Sequence, residues 1–273
     1  MKNVKELKQS IAPRMRKCWG ESCAAFIISA GGLCAAVFAW YIIMNTLVSM
    51  GIIENAADKI MLTVTAILAL FMLVITVPYN YGLRWYRLQQ VRGHSVHAKS
   101  IFSCYFSAKR LLQVYKLSAM LFLKKIFLLI PFSILLSAGI YLIIKFNTIG
   151  GGLGYNLVVV ALLMLSALTY LAYNIINIKY AAAPYLYALG HDRPAGEIIN
   201  ESVQFMKGKQ GYMIEVLRSC AIMLIPCIVV FPMIFVIPKM MMIYTAAINE
   251  IIEDGFEKDK LVNMERREKF ASR

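Results

Sequence analysis

The sequence predicts an all-α fold: a polytopic integral membrane helix bundle of about six transmembrane helices, with amphipathic helices at the cytoplasmic interface. Of its 273 residues, 60% are hydrophobic and only 16% are charged, and the mean hydropathy is +0.64. Its apolar stretches are long enough for a hydrocarbon layer of about 30 Å, which requires roughly 20 helical residues. Lys and Arg residues cluster on one side of these stretches.

Six apolar stretches are predicted to span the membrane. They cover residues 22–44, 60–83, 126–145, 156–178, 212–230 and 232–252. The last two leave an alternative, because residues 212–252 could instead form one span that ends at Pro238 and continues as a short surface helix. Six spans keep the basic tail on the same side as the other basic loops. The predicted organisation is therefore a single membrane domain over residues 1–252 and a charged cytoplasmic tail over residues 253–273.

The charge distribution predicts the orientation of the bundle. Between Asp58 and Asp192 the chain has no acidic residue but twelve Lys and Arg, nine of them from Arg84 to Lys125. The two loops on the opposite side of the membrane hold one Lys each. This positive-inside pattern predicts a multi-pass membrane protein with both termini in the cytoplasm. It also accounts for the net charge of +14 without nucleic acid, because the basic loops adjoin spans and contain no recognition fold.

Basic residues beside the spans are the predicted contacts for anionic lipid headgroups. They are Arg84, Arg87, Lys124, Lys125, Lys207 and Lys209. Two amphipathic segments are predicted to lie on the membrane surface with their apolar faces lowered into the headgroups. The apolar face of the first contains Ile101, Tyr105, Ala108, Leu112 and Tyr115, and that of the second contains Ile198, Ile199, Phe205 and Met206. The expected partners are the lipid bilayer, anionic lipids and possible membrane proteins.

A short motif occurs twice and suggests an internal repeat. The two copies are Pro78-Tyr79-Asn80-Tyr81, followed by Gly93-His94, and Pro184-Tyr185-Leu186-Tyr187, followed by Gly190-His191. Pro238 in the last span is a weaker third copy. A proline late in a helix frees a backbone carbonyl, which lipid tolerates only where a neighbouring group restores the hydrogen bond. The pattern indicates either two-helix units repeated around a bundle or the general frequency of Pro and Tyr in membrane helices.

The spans offer little catalytic chemistry. The second, third and fourth contain no carboxylate or histidine, so no catalytic residue, cofactor or metal ion is predicted. Glu215 and Arg218, three residues apart on one helix face, are expected to form a snorkelling ion pair. Lys239 lies roughly 10 Å from the outer surface by helical rise. It is therefore expected to face a cavity, a polar partner or lipid phosphate, unless the span begins later and Lys239 is interfacial.

The second half of the chain contains a set of motifs in a fixed order. They are Pro184-Tyr185, Glu197-Ile198-Ile199, Ser202, Met206-Lys207-Gly208-Lys209 and Pro238, with Trp19, Pro78, Gly82, Gly93 and Ile101-Phe102 in the first half. In these residues the chain resembles a bacterial membrane family catalogued as domain of unknown function 975. The family often has Pro-Tyr in the last span, whereas this chain has Pro238-Lys239. The resemblance implies a polytopic bacterial inner-membrane protein and no particular activity.

These observations favour a non-enzymatic accessory or scaffold subunit that binds anionic lipid or a membrane partner. The alternative is a transporter or permease-like conduit for an anionic or amphipathic solute, with Lys239 in contact with the substrate. A third hypothesis, a membrane enzyme acting on lipids, would require a polar cleft near His94, His191 and Glu197.

Overall fold

A computed structural model describes residues 3–49, 59–149, 153–190, 193–224 and 230–271. Within these ranges the chain forms helices and no strands, so the all-α prediction is confirmed. The α-helices are α1 (Val4–Lys17), α2 (Trp19–Ser49), α3 (Lys59–Arg92), α4 (Ala108–Ile149), α5 (Leu153–Asn177), α6 (Ala183–Leu189), α7 (Ala195–Met206), α8 (Gln210–Met223) and α9 (Val230–Ala271). Two 3-10 helices cover Ala98–Phe106 and Ile178–Tyr180.

Three antiparallel helix pairs organise the molecule: α2 with α3, α4 with α5, and α8 with α9. In each pair, contacts further along the first helix fall progressively earlier in the second, as expected for antiparallel packing. Such contacts join Ser22 to Gln90, Ser29 to Tyr79, Phe132 to Tyr170, Gly139 to Leu163, Tyr212 to Glu250 and Cys220 to Met240. A shorter helix precedes every pair, namely α1, the 3-10 helix Ala98–Phe106 and α7. The chain is therefore arranged as three consecutive units of similar build.

The motif copies meet where the units join. Pro78 lies inside α3, Pro184 in the first turn of α6 and Pro238 inside α9, and these three helices pack against one another. The rings of Tyr81 and Tyr187, equivalent positions of the repeated motif, pack edge to face with centroids 5.7 Å apart. This contact agrees with the two-helix units that the motif suggests.

The carbonyl that loses its helical partner at Pro78 is hydrogen-bonded by a side chain. Pro78 has no N–H, so the carbonyl of Val74, four residues earlier, loses its helical hydrogen bond. The hydroxyl of Tyr115 donates to that oxygen, and the hydroxyl of Tyr105 donates to the carbonyl of Ile75. Tyr115, from the following unit, therefore restores the bond that Pro78 removes, which is the condition for a proline inside an apolar helix.

We expect Tyr115→Phe to lower the stability by about 1 kcal/mol, a Tm shift of roughly 2–4 °C, because the Val74 carbonyl is left without a donor. In a Pro78→Ala background the same substitution should lower the stability by less, because the alanine N–H can donate to the Val74 carbonyl within the helix. Tm values of the two single variants and the double variant in detergent measure this coupling. Equal losses in both backgrounds would contradict the assignment.

The buried core lies at one end of the molecule. It is built from α1, the end of α3, the start of α4, α6, α7, one face of α8 and the middle of α9. By contrast, α2 to α5 expose large apolar side chains such as Phe38, Phe71 and Leu168 along their remaining lengths. This separation places a closely packed helical body beside a set of apolar helices suited to lipid.

The described residues do not confirm the predicted count of six spans. Three helices of the described part are long and apolar enough to cross a membrane: Thr63–Arg92, Val158–Leu189 and Pro232–Lys258. A fourth is possible if the segments Ala108–Ile126 and Leu129–Leu142 of α4, bent by 62°, count as one span. Helix α8 has 14 residues and reaches only about 21 Å, while residues 225–229 of the predicted fifth span lie outside the described part.

The two predicted surface helices have other structures. Ser107 is extended, so the first segment is not one helix: it divides into the 3-10 helix Ala98–Phe106 and the start of α4. Its Ile101 is fully buried, whereas Leu112 is 70% exposed. The second segment is the continuous helix α7, but its apolar face packs inside the protein. Ile198, Ile199, Phe205 and Met206 are all buried, and so is the neighbouring Ser202. Amphipathicity therefore served internal packing in α7 rather than contact with lipid.

The end of the chain continues α9 without interruption. The helix runs through the predicted domain boundary at residue 252 and extends to Ala271. Beyond that boundary Gly255 is buried, and the ring of Phe256 packs edge to face on Phe205 of α7 with centroids 5.2 Å apart.

The break between α7 and α8 lies at Gly208, which has a φ of +77°. This break allows α8 to pack alongside α9.

Candidate functional site

A cavity of about 410 Å³ lies where the three helix pairs meet. Small-molecule sites have volumes of about 300–1,000 Å³, and this cavity falls within that range. Helices α3, α4, α5, α6, α8 and α9 all contribute to its wall. The polar groups in the wall come from Arg84, Lys125, Asn174, Asn177, Tyr180, Tyr185, Cys220 and Tyr244. The apolar part includes Leu121, Leu217, Ile237, Met240 and Met241.

Two cations converge on this cavity from different units. Arg84 of α3 and Lys125 of α4 are both half-buried, and they lie close enough to repel each other electrostatically. No Asp or Glu belongs to the wall that the described residues form, and in that part of the chain neither cation has an ion-pair partner. Two half-buried positive charges without a counterion raise the local potential, which favours an anionic ligand.

The guanidinium of Arg84 is held by aromatic packing. Its central carbon lies 5.8 Å from the centroid of the Tyr81 ring, a cation–π distance, and Tyr81 in turn packs on Tyr187. A second cavity of about 250 Å³ adjoins the first and shares Arg84, Leu121 and Lys125 with it. The two cations therefore stand between two open spaces, and a ligand can reach their donor groups without displacing a protein partner.

Asn177, which also lines the cavity, carries a buried acceptor without a hydrogen-bond partner. The residue is only 9% exposed, its Nδ2 donates to the Tyr173 carbonyl at 2.8 Å, and its Oδ1 is buried without a hydrogen-bond partner. A buried amide oxygen without a donor is unfavourable by about 1–3 kcal/mol. Tyr244 also lines the cavity, and its hydroxyl makes no hydrogen bond to other described residues. The Tyr185 hydroxyl, in contrast, is bonded to Thr245 at 3.2 Å.

The apolar part of the wall leads outward. Leu217 and Met241 line the cavity and are also 40% and 39% exposed on the molecular surface. Arg84 and Lys125 lie beside the exposed apolar stretches of α3 and α4, near the boundary between those stretches and the buried core. The cavity thus joins a positively charged recess to an apolar surface, which suits a ligand with an anionic head and an apolar tail.

The six predicted headgroup contacts have different positions. Arg84 and Lys125 are brought together in the cavity. Arg87, one turn further along α3, lines a separate small space with Tyr86, outside the main cavity. Lys124 and Lys207 are exposed. Lys209 is largely buried and bridges α8 to α9 through an ion pair with Asp254, so its structural role is internal rather than at a headgroup.

The other predicted polar positions lie outside the cavity. Glu215 and Arg218 are both exposed on α8, and no ion pair joins them in the described structure. Lys239 is exposed on α9, while its neighbour Pro238 is buried. His94 and Glu197 are also exposed, and His191 lies outside the described residues. Across the ranges that are described, no group of three or more His, Cys, Asp or Glu could hold a metal ion.

Asn177 and Tyr244 line the cavity but are not among the site residues predicted from the sequence. One signal was available for the first: Asn174 and Asn177 are amides three residues apart near the end of an otherwise apolar stretch. Polar groups in such a stretch indicate an internal or functional face. No pattern around Tyr244 distinguishes it from the other tyrosines at the ends of spans.

The fold and the cavity define the class of protein: an all-helical protein whose apolar helices suggest that it is embedded in a membrane. Searches of protein-family models, curated proteins and solved structures find no match to the chain. The resemblance to the family of unknown function therefore stays a prediction.

Proposed function

We propose that this protein is a non-enzymatic accessory or scaffold subunit of the bacterial cytoplasmic membrane that binds anionic lipid in the cavity between its three helix pairs. The observation that carries the proposal is the convergence of Arg84 and Lys125 on a recess without a carboxylate in its described wall. Cations and amides in the wall suit the binding of a phosphate group better than the transfer of protons.

In the proposed topology both termini and the buried core are cytoplasmic, because the basic segments adjoin the core. We propose that helices α2 to α5 make four crossings, which return the chain to the cytoplasm before α6. Helices α8 and α9 then form an antiparallel hairpin, so the chain ends on the side where the hairpin begins. This holds whether the hairpin crosses completely, giving six spans, or enters the bilayer from one side. The cavity would then lie at the level of the cytoplasmic headgroups.

Binding of phosphatidylglycerol and phosphatidylcholine to the purified protein, followed by native mass spectrometry, tests the proposal. We expect the wild-type protein to retain phosphatidylglycerol preferentially. The double variant Arg84→Gln/Lys125→Gln should bind it at least about tenfold more weakly, because each charge-assisted contact contributes about 1.5–3 kcal/mol.

The matched control is Lys124→Gln/Lys207→Gln, which removes the same charge from two exposed positions outside the cavity. This variant should keep most of the affinity. An equal loss in both double variants would show that general surface charge attracts the lipid, and it would refute binding in the cavity.

A conduit for an anionic or amphipathic solute is the second candidate. The position of the cavity at the junction of three proline-containing units favours it. Lys239 does not line the cavity, so Arg84 and Lys125 would contact the solute. Flux of an organic phosphate across liposomes that contain only this protein would support the conduit and overturn the scaffold proposal.

A further inference from the structure

We propose that the ligand is a phospholipid with two phosphodiester groups, the chemistry of cardiolipin, bound astride Arg84 and Lys125 with one phosphate in each of the two adjoining cavities. This inference rests on the proposed function and specifies its ligand. It follows from two cations that line both cavities, and from an apolar route that leads from each cavity to the molecular surface.

The two cavities meet at the same cations. The larger cavity, of about 410 Å³, and the smaller cavity, of about 250 Å³, have Arg84, Leu121 and Lys125 in common and share no other described residue. The wall of the larger continues onto α5, α6, α8 and α9, whereas the described wall of the smaller belongs to α3 and α4. The cations therefore form a boundary that groups on either side can contact.

The charge at this boundary matches two anionic groups. No Asp or Glu belongs to the described wall of either cavity, so Arg84 and Lys125 place two positive charges there without a counterion. A single phosphodiester carries one negative charge and leaves one of the cations uncompensated. Two phosphodiesters compensate both cations, and their oxygens accept charge-assisted hydrogen bonds from the guanidinium and the ammonium group.

The smaller cavity is polar enough to hold a phosphate as well as an acyl chain. Besides the two cations, Asn80 and Ser118 line it, and Asn80 is exposed. An amide and a hydroxyl are uncharged hydrogen-bond donors, which suit phosphate oxygens and gain nothing from contact with hydrocarbon. This polar lining favours a second phosphate over a single phosphate whose two acyl chains diverge into the two cavities.

Each cavity has its own apolar route to the surface. Leu217 and Met241 line the larger cavity and are partly exposed, on α8 and α9. Phe122 lines the smaller cavity and is 60% exposed on α4, and Val77 of α3 lines the same wall. The acyl chains of each phosphatidyl half can therefore leave by a separate route, whereas a soluble bisphosphate would leave both apolar walls uncovered.

Native mass spectrometry of the full chain with cardiolipin, phosphatidylglycerol and phosphatidylcholine tests the inference. We expect the wild-type protein to bind cardiolipin at least about tenfold more tightly than phosphatidylglycerol, because the second phosphate is held beside its site once the first is bound. Either single variant, Arg84→Gln or Lys125→Gln, should remove most of this preference, because only one cation then remains to bind a phosphate.

Ser118→Leu separates the role of the smaller cavity from that of the cations. The larger side chain would fill part of this cavity without removing a charge, so cardiolipin should lose its advantage while the affinity for phosphatidylglycerol is kept. Ala119→Leu is the matched control, because it adds an apolar side chain at an exposed neighbouring position of α4 that lines neither cavity. Asn80→Leu makes the same test at an exposed position if the Ser118 variant does not fold.

Phosphatidic acid distinguishes two phosphates from charge alone, because its single phosphomonoester carries nearly the same charge as two diesters. We expect it to bind the wild-type protein more weakly than cardiolipin, and equal affinity would overturn the assignment of a second phosphate. Equal affinity for cardiolipin and phosphatidylglycerol, both above phosphatidylcholine, would refute this inference and leave the proposed function intact. No preference for any anionic lipid over phosphatidylcholine would refute the proposed function as well.

Discussion

Replacing Gly82 with Ala is expected to lower the Tm by roughly 6–12 °C, corresponding to about 3 kcal/mol or more. Gly82 lies in α3 where the 3-10 helix Ala98–Phe106 crosses it. An added Cβ would overlap the carbonyl oxygen of Ile101 and lie 2.9 Å from its carbonyl carbon. Both groups are backbone atoms, so neither can turn away as a side chain could, and one whole segment must move.

Thermal unfolding of the purified protein in detergent measures this effect. Gly211→Ala is the matched control, because Gly211 lies in α8 with nothing within 4 Å of an added Cβ. That substitution should leave the Tm unchanged or raise it slightly through the higher helix propensity of alanine. A similar Tm for the Gly82 variant and the wild type would show that the 3-10 helix does not pack on α3 as described.

Replacing Gly255 with Ala should lower the Tm by roughly 4–8 °C, or about 2 kcal/mol. An added Cβ would lie 2.6 Å from ring atoms of Phe205, including Cγ, which is held close to the α7 backbone. Phe205 is buried and packs against Phe256, so the ring has no free rotamer to adopt without disturbing its neighbours.

A cycle with Phe205→Leu separates this clash from a general effect on α9. Phe205→Leu lowers the stability by itself, because it removes part of a buried ring. In the Phe205→Leu background, Gly255→Ala should lower the Tm by less than it does in the wild type. Gly20→Ala, at an open position in α2, serves as the control and should change the Tm little. Additive losses for Gly255 and Phe205 would contradict the packing of α9 on α7.

The amphipathic segments show that a sequence pattern predicts an apolar helix face without predicting what that face contacts. The pattern of α7 correctly indicated a helix with one apolar face, yet the face contacts α9 and the core instead of lipid. Helix α1 is a second example of an apolar face that packs inside the protein, because its Val4, Leu7 and Ile11 are buried. Periodicity predicts that one face of a helix is apolar, but either a protein interior or a bilayer can cover such a face.

The cavity illustrates the same limit for function. Arg84 and Lys125 were predicted as two of six separate headgroup contacts, and nothing in their spacing of 41 residues indicates that they share one recess. Asn177 and Tyr244 join them from α5 and α9. Which charges remain free depends on neighbours distant in sequence, as the pairing of Lys209 with Asp254 demonstrates.

The sequence by itself determined the helical class and the membrane character, because both depend on local composition and on the run length of apolar residues. It also located the prolines, whose effect on a helix follows from the chemistry of a single residue. Only the tertiary structure decided which apolar faces are internal and which cations stand together without a counterion. Those properties arise from contacts between segments far apart in the chain, and no local pattern records them.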